Sequence, residues 1–390
     1  MSECVLESGY LSVNKRGEEL CGDHVEIKRK DNGEQLLVLA DGLGSGVRAN
    51  ILSTLTSSML STMIDGGLSL RESVESLTRT LPVATDRGNV AYSTFTLVRA
   101  RNDSLLIYNY DNPEPILLRN QKERKIDWVS ASLEGKKVCF AAFPFLEGDE
   151  LAIVSDGAVY AGVGGALNFG WTRNEIARYL EGVALPSVSA KNVAKILIDR
   201  CVNLYNGEPG DDTTALIVKK RPVSRVNVFV GPPTNPDDDG KVLAAYFAQS
   251  GRHIVCGGTS AKIVSRYLKK PIKASLTYLD RDIPPTSAIE GVDLVTEGII
   301  TLNRLNEIGK DYLAQDDDYF NWVYRQDGAS LLAKALFEEA TDVSFYVGCA
   351  VNPAHQDPRY SISISTKMQI VDELTKILKA MDKRVRVAYF

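Results

Sequence analysis

The most constraining feature of this sequence is an apolar strand that runs directly into an acid and a turn almost free of side chains. The stretch LLVLADGLGSGVRAN, residues 36–50, reads as a buried strand followed by Asp41, Gly42 and a run of small residues. A carboxylate at a strand end either forms a turn or holds a ligand, and Asp-Gly pairs are common in turns. A single motif of this kind does not decide between the two interpretations.

The combination of an apolar strand and an acid recurs in the chain. Asp156 follows the strand DELAIVS, Asp211 and Asp212 precede the strand TTALIV, and Asp23 lies beside a strand near the N-terminus. Antiparallel neighbours bring the end of one strand beside the start of another, so these acids are predicted to converge at one sheet edge. Gathered carboxylates repel one another unless a cation neutralises them, and hard divalent ions prefer oxygen ligands. The set therefore favours a metal site over four independent turns.

The order of elements in residues 1–222 predicts an α+β fold. Strands are followed by two helical patterns at 47–64 and 69–81, then by several strands, two more helices and a strand. This order does not alternate regularly, so a layered sandwich is favoured over a doubly wound sheet. Ser69 and Glu72 have the spacing of a capping box at the start of the second helix. The charged run KKRPVS predicts a domain boundary at 222/223, as expected for a chain of 390 residues.

Residues 223–390 predict a second domain of the α/β class with a mainly parallel sheet, because strands and helices alternate there. The predicted strands include VNVFVG, RHIVCGG, KASLTYL, DVSFYVGCAV and RVRVAYF. A long helical region is predicted from about Thr286 to Gln315.

Four motifs of the first part resemble those of a known class of enzymes. GDHVEI, VLADGLGSGVRAN, IVSDG and GDDTTALIV occur in the order and at the spacing of the metal-dependent protein phosphatases, the PPM class, and are most similar to its bacterial SpoIIE-type branch. The segment YNYDNPEPILLR also resembles one that usually reads Asn-Ala-Gly-His-Pro-Pro in that branch, although the Gly-His pair is missing here. The resemblance covers about the first 220 residues. It implies a PPM-type β-sandwich with α-β-β-α layers, and hydrolysis of phosphoserine or phosphothreonine on a regulatory protein.

The resemblance also implies roles for individual residues. Asp41 would bridge two metal ions, Mn²⁺ or Mg²⁺, and Gly42 would offer its backbone carbonyl to one of them. Asp156 and Asp211 would complete the shell of the second ion. Such a pair of ions activates a water for attack on phosphorus. Asp41, Asp156 and Asp211 are therefore the predicted catalytic residues.

Other positions of the predicted site are less defined. Asp23 matches the N-terminal acid of the family and could hold a third ion, and Asp212 occupies a position often held by asparagine. The histidine that many relatives carry after the first Asp-Gly is Leu43 here, and a later histidine position of the bacterial branch is Ser45. His24 is interpreted as a surface residue rather than a general acid, and the general acid is unassigned.

Composition and charge limit the compartment and the partners that can be expected for this protein. The formal net charge of -5 predicts no general attraction to nucleic acid or membrane, and no apolar run approaches the length of a membrane span. The N-terminus does not read as a signal peptide, so a cytoplasmic protein is expected. The six cysteines are scattered without a C-x-x-C pair, which argues against a zinc site or a disulfide framework.

No motif assigns a function to residues 223–390. The sequence VCGGTSAKIV could bind an anion at a helix N-terminus, but a plain strand-to-helix turn is favoured. Asp237, Asp238 and Asp239 are interpreted as a solvated turn. The loop NPAHQDP, residues 352–358, follows a predicted strand at the end where α/β sheets place ligands. The domain is expected to sense a small molecule, to form a homodimer or to dock a partner.

Alternative interpretations remain open from the sequence alone. The chain could be a catalytically silent relative that binds a phosphoprotein, or a small-molecule enzyme or sensor centred on the second domain. The helices at 47–64 and 69–81 match a regulatory switch of the SpoIIE-type branch, or they are ordinary packing helices. Packing substitutions at Leu52 or Leu55 would separate the last two cases.

Overall fold

The computed structural model describes residues 3–30, 32–80, 93–101, 103–133, 136–275, 279–314, 322–350 and 364–390. The chain divides into two compact units, Met1–Pro222 and Val223–Phe390. Each unit has hydrophobic clusters of its own.

The described strands and helices of the first unit follow the predicted order. The strands are β1 (Cys4–Val13), β2 (Asp23–Arg29), β3 (Gln35–Asp41), β4 (Thr94–Arg101), β5 (Ser104–Tyr110), β6 (Ile116–Arg119), β7 (Lys122–Arg124), β8 (Val129–Leu133), β9 (Lys136–Pro144), β10 (Asp149–Val154) and β11 (Thr213–Pro222). The helices are α1 (Gly46–Asp65), α2 (Leu70–Thr80), α3 (Asp156–Val159), α4 (Arg173–Val183) and α5 (Ala190–Leu204).

These elements form four layers. One sheet has the strand order β1-β11-β10-β6-β7 and the other β2-β3-β4-β5-β9-β8. Apolar side chains from both sheets share one core, while α4 and α5 cover the outer face of the first sheet and α1 and α2 that of the second. The prediction of an α+β sandwich with α-β-β-α layers is confirmed.

Strand β3 shows why its sequence is apolar at consecutive positions. Leu37 and Leu39 face the core between the sheets, whereas Leu36 and Val38 face the helical layer. Both faces of the strand are therefore buried, and its first polar position after Gln35 is the acid at its end. A strand buried on both faces reads as a continuous apolar run.

The capping box predicted at the start of α2 is also confirmed. The Ser69 backbone N–H donates to Glu72 Oε2 at 2.8 Å, and the Glu72 backbone N–H donates to Ser69 Oγ at 3.3 Å. These reciprocal bonds satisfy two donors that the first turn of a helix leaves free.

The second unit contains a sheet with a parallel centre. Its strands are β12 (Arg225–Val230), β13 (Arg252–Cys256), β14 (Lys273–Ala274), β15 (Ser287–Ala288), β16 (Leu294–Thr296), β17 (Asp342–Val347) and β18 (Arg384–Tyr389). Its helices are α6 (Asp239–Phe247), α7 (Gly258–Leu268), α8 (Ile299–Ala314), α9 (Gly328–Ala333), which continues as a π-helical turn at Lys334–Glu339, and α10 (Ile364–Ala380). The strand order is β14-β15-β16-β13-β12-β17-β18, and β16 through β18 pair in parallel. The predicted mainly parallel sheet is confirmed.

One prediction for the second unit was wrong in extent, and another is only partly covered by the described residues. The helix predicted from about Thr286 begins only at Ile299, because Leu294–Thr296 forms β16 and pairs with Ile254–Cys256 of β13. Apolar residues three or four apart in this segment imitate a helical period, and Gly291 with φ of 94° interrupts it. The strand predicted in KASLTYL is reduced to Lys273–Ala274 among described residues, since 276–278 lie outside them.

Within the described ranges, no helix combines the length and the apolar character that crossing a bilayer would require.

Candidate metal centre

Four strand ends bring acids to one edge of the first unit. Asp23 opens β2 and Asp41 closes β3, and the two residues are direct partners in the antiparallel register. Asp156 begins α3 immediately after β10, and β10 pairs with β11, which starts directly after Asp212. The Ser155 backbone N–H donates to the Thr214 carbonyl at 3.0 Å, which ties these two strand ends together.

Asp23 is a carboxylate buried without a compensating partner. Its exposed fraction is 4%, and neither carboxylate oxygen has a partner with hydrogen-bond geometry among described residues. Burial raises the pKa of Asp23 to about 7, and the nearby charges of Asp212 and Asp156 add to the rise, although the Ser155 and Thr214 hydroxyls oppose it. A buried acid without a partner of good hydrogen-bond geometry indicates that another group, such as a cation, supplies one.

Asp41 lies at the centre of the acidic group. Burial and the charges of Asp23, Asp156 and Asp211 together raise the pKa of Asp41 to about 9. The Asp41 and Asp156 carboxyls are within hydrogen-bond reach of each other, and this contact favours the protonated form of Asp41. Burial and the charge of Asp211 also raise the pKa of Asp156. Four acids from separate strand ends therefore interact at this edge.

Asp211 and Asp212 are held differently. Asp211 is partly exposed, and its Oδ1 lies 3.8 Å from Lys15 Nζ. Asp212 is buried, and its Oδ1 accepts the Lys15 backbone N–H at 3.0 Å. Asp211 Oδ1 also accepts a backbone N–H, that of Asp212 at 3.1 Å, so the two acids differ mainly in exposure, and Asp211 is the more accessible of the two.

Two glycines allow the surrounding backbone to approach these acids. A Cβ added to Gly42 would lie 2.0 Å from the Ala49 carbonyl oxygen of α1, and one added to Gly157 would lie 2.1 Å from the Asp212 carbonyl oxygen. Real Cβ atoms do not reach such distances, and backbone cannot yield as a flexible side chain does. Gly42 and Gly157 therefore let a helix and a strand end close around the site.

We expect Gly42→Ala to destabilise the first unit by roughly 3 kcal/mol or more, because the added methyl group displaces the first turns of α1. The measurement is chemical unfolding of the purified variant. Gly182→Ala is the matched control, since Gly182 lies inside α4 with no atom within 4 Å of the added Cβ. The control is expected to gain about 0.5–1 kcal/mol. Equal stabilities of the two variants would contradict this packing account.

Two further residues position the acids, and neither could be singled out from the sequence. Asn112, 7% exposed, donates from Nδ2 to Thr96 Oγ1 of β4 at 2.8 Å and to the Val154 carbonyl of β10 at 3.2 Å. It therefore joins the two sheets beside the site. Tyr205 donates from its hydroxyl to the Gly157 carbonyl at 2.7 Å. The segment YNYDNPEPILLR, which contains Asn112, gives only a partial family resemblance in the sequence.

The position of His24 corrects its interpretation as a surface residue. Its ring is half-buried, and Nδ1 lies 2.7 Å from Ser57 Oγ of α1. Burial lowers the pKa of His24, which keeps the ring neutral at pH 7. Leu43, where relatives often carry histidine, is 73% exposed, and Ser45 donates from Oγ to Glu18 Oε1 at 3.0 Å. A general acid remains unassigned.

Of the two leucines chosen to test packing of α1, one is exposed and the other is only half-buried. Leu55 is 40% exposed and Leu52 is half-buried, while α1 buries mainly small residues and Leu60. Substitution of Leu60, rather than Leu55, would test packing of α1 on its sheet.

The donor chemistry of the site fits hard divalent ions. Its side-chain donors are carboxylates, and two oxygens of Asp23 lack partners. In the part of the chain that the structure describes, no three His, Cys, Asp or Glu side chains already stand at metal-binding spacing. The fit of this site to hard divalent ions therefore depends on the type, burial and mutual repulsion of its carboxylates, and not on ligands already arranged around an ion.

Comparison with known proteins finds a family model that matches this region. Residues 31–221 match the model of the family described as Stage II sporulation protein E (SpoIIE). None of the curated proteins matches the sequence.

Solved structures of low identity are also similar. One contains the PP2C phosphatase domain and a regulatory-domain fragment of SpoIIE from Bacillus subtilis, at 19% identity, with 57% of this chain and 64% of that chain covered and a TM-score of 0.47. A second contains the RsbU and RsbW domains of a Mycobacterium tuberculosis protein, at 17% identity, with 63% and 69% covered and a TM-score of 0.47. A third is RsbX in complex with magnesium, at 18% identity, with 56% and 100% covered and a TM-score of 0.40.

Proposed function

Residues 31–221 form a domain of the SpoIIE family, and we propose on this premise that the chain is a metal-dependent phosphatase of phosphoserine or phosphothreonine in proteins. The substrate class is a phosphorylated regulatory protein. The second unit would regulate the first by sensing a ligand, by forming a homodimer or by docking a partner. A cytoplasmic location agrees with this assignment.

The observation that carries the proposal is the meeting of four strand ends, each with an acid, around Asp41. Asp41 is opposed by Asp23, Asp156 and Asp211, and no described lysine or arginine other than Lys15 pairs with this group. When a fold brings mutually repelling carboxylates together at one edge of the unit, the negative charge there attracts cations. A purely structural role would not require the four acids to meet.

The acids of this site would contribute different ligands to Mn²⁺ or Mg²⁺. Asp41 interacts with both Asp156 and Asp211 and would be the ligand shared by the ions, to which Asp156, Asp211 and the Gly42 carbonyl would also contribute. Asp23 and Asp212, which are more deeply buried, would support the site or hold an additional ion. Bound divalent ions would supply a hydroxide-like water and neutralise phosphate charge.

Two other residues orient the strand ends that carry the acids. Asn112 fixes β10 relative to β4, and Tyr205 fixes the Gly157 carbonyl, so that Asp156 keeps its direction. Cysteine does not take part as a nucleophile in this proposal, because burial and neighbouring acids raise the pKa of the Cys21 thiol beside the site and keep it protonated.

Hydrolysis of a phosphoseryl peptide tests the proposal. The full chain with Mn²⁺ is expected to release phosphate from phosphoseryl and phosphothreonyl peptides, and to lose this activity in EDTA. A phosphotyrosyl peptide of the same sequence is the substrate control and should react at least about 10-fold more slowly. Metal binding without turnover of any phosphopeptide would favour the catalytically silent alternative.

A further inference from the structure

The parallel sheet of the second unit has a topological switch point. The chain runs from β12 to β13 and β16 on one side, and then returns to place β17 and β18 on the other. Strands β12 and β17 are direct neighbours, with Val230 opposite Val347 at their carboxyl ends. In open α/β sheets, ligands bind in the crevice outside the carboxyl ends at such a point.

A cavity of about 860 Å³ lies at this switch point. Its walls include Pro232 and Pro233 directly after β12, Cys349 and Ala350 after β17, and Ile263 of α7. The volume is within the range of small-molecule sites, and the walls supply apolar surface for the body of a ligand. The cavity belongs entirely to the second unit.

The cavity also presents cationic groups. Lys262 and Arg266 lie one turn apart on α7 and both line it. One acid, Asp239, lies in the same lining, with its Oδ2 3.7 Å from Arg266. Helix α7 begins after Gly257, and no side chain caps its first turn. The first N–H groups of α7 therefore have no side-chain acceptor and point toward this end of the sheet.

Lys367 adds a buried positive charge behind the cavity wall. It is 9% exposed and donates from Nζ to the Gly348 carbonyl, and a Cβ on Gly231 would lie 2.6 Å from that nitrogen. Gly231 and Gly348 directly precede the wall residues Pro232 and Cys349. No described carboxylate forms an ion pair with Lys367, and burial lowers its pKa. An ammonium buried without a counter-charge is costly unless an anion joins it.

We propose that this cavity binds a phosphorylated small molecule of nucleotide size, with its phosphoryl group held by Arg266, Lys262 and the N-terminus of α7, and with the charge of Lys367 behind the wall adding to the attraction. The cationic groups exceed the single acid in the lining, which suits a dianion with three acceptor oxygens. The proline and isoleucine walls contact the uncharged body. This site is separate from the acidic group of the first unit and does not depend on the phosphatase assignment.

Isothermal titration of the full chain tests the proposal. The probes are AMP, ATP, glucose 6-phosphate and inorganic phosphate, with adenosine and citrate as comparisons. EDTA is present throughout, so that the acidic group of the first unit, without metal, does not attract phosphate. At least one phosphorylated probe is expected to bind with a Kd below about 100 µM, and adenosine at least about 10-fold more weakly.

Lys367→Met separates this site from other basic surfaces. The substitution should weaken binding of that probe by at least about 10-fold, while the free protein keeps or gains thermal stability because a buried charge is removed. Lys376→Met on the exposed face of α10 is the matched control and should bind as the parent does. Asp41→Asn should also bind normally, whatever its phosphatase activity.

Several results would overturn the proposal. No probe with a Kd below about 1 mM, binding of citrate alone, or equal affinity in Lys367→Met and the parent would each do so. None of these results bears on whether the first unit hydrolyses phosphopeptides.

Discussion

Asp41→Asn is expected to reduce Mn²⁺-dependent hydrolysis of a phosphoseryl peptide by at least about 1000-fold. The amide keeps the size of the side chain but removes the charge that faces Asp23, Asp156 and Asp211. Without that carboxylate the remaining acids cannot hold two ions at a shared position, so neither water activation nor charge neutralisation is provided. The measurement is phosphate release at saturating Mn²⁺, which separates lost catalysis from weakened metal binding.

Asp127→Asn is the matched control, because Asp127 is exposed and lies away from the acidic group. It should retain the parent activity. The Asp41→Asn protein should also be more stable without metal, by at least about 1 kcal/mol, because a source of repulsion has been removed. Activity within 10-fold of the parent would contradict the role of Asp41, and a loss of fold would contradict its placement.

The second large effect is a dependence of stability on pH that Mn²⁺ abolishes. An unfolded aspartate has a pKa near 3.9, whereas burial and neighbouring acids raise the pKa of Asp41 to about 9 and that of Asp23 to about 7 in the fold. The folded state therefore binds more protons than the unfolded state between about pH 4 and 9. Stability of the metal-free unit falls as pH rises through this window.

We expect the metal-free protein to lose at least about 2 kcal/mol between pH 5 and pH 9, or roughly 4–8 °C in the melting temperature of the first unit. Saturating Mn²⁺ should stabilise most at the alkaline end, since it replaces the protons that the cluster otherwise retains. Differential scanning calorimetry at pH 5, 7 and 9, with EDTA or with Mn²⁺, measures both effects. The double variant Asp23→Asn, Asp41→Asn is the control and should show a flatter pH dependence. A parent protein with equal slopes in EDTA and in Mn²⁺ would contradict this explanation.

The fold could be predicted from the sequence where local pattern and long-range packing agree. Strand β3 is apolar at consecutive positions because both of its faces are buried, and α2 begins at a capping box that the spacing of Ser69 and Glu72 already indicates. The start of α8 could not be predicted, because β16 is only three residues long and depends on pairing with β13 for its existence. Short strands of this kind carry no period of their own.

The candidate site could likewise be predicted from the sequence only in part. The acids stand beside recognisable strands, so their convergence could be predicted from antiparallel pairing. The bridging contacts of Asn112 and Tyr205 could not, because each joins segments about 40 or 50 residues apart through a single hydrogen bond. The cavity of the second unit was missed for the same reason. It is formed by residues after β12 and β17, together with residues of α7, that become neighbours only when the sheet is assembled.

The central claim is that carboxylates from separate strand ends enclose a pair of hard cations, and anomalous diffraction from crystals grown with Mn²⁺ tests it most directly. The account predicts two manganese peaks among Asp41, Asp156 and Asp211, with the Gly42 carbonyl beside one of them. Crystals with full manganese occupancy elsewhere and no peak among these three side chains would contradict it.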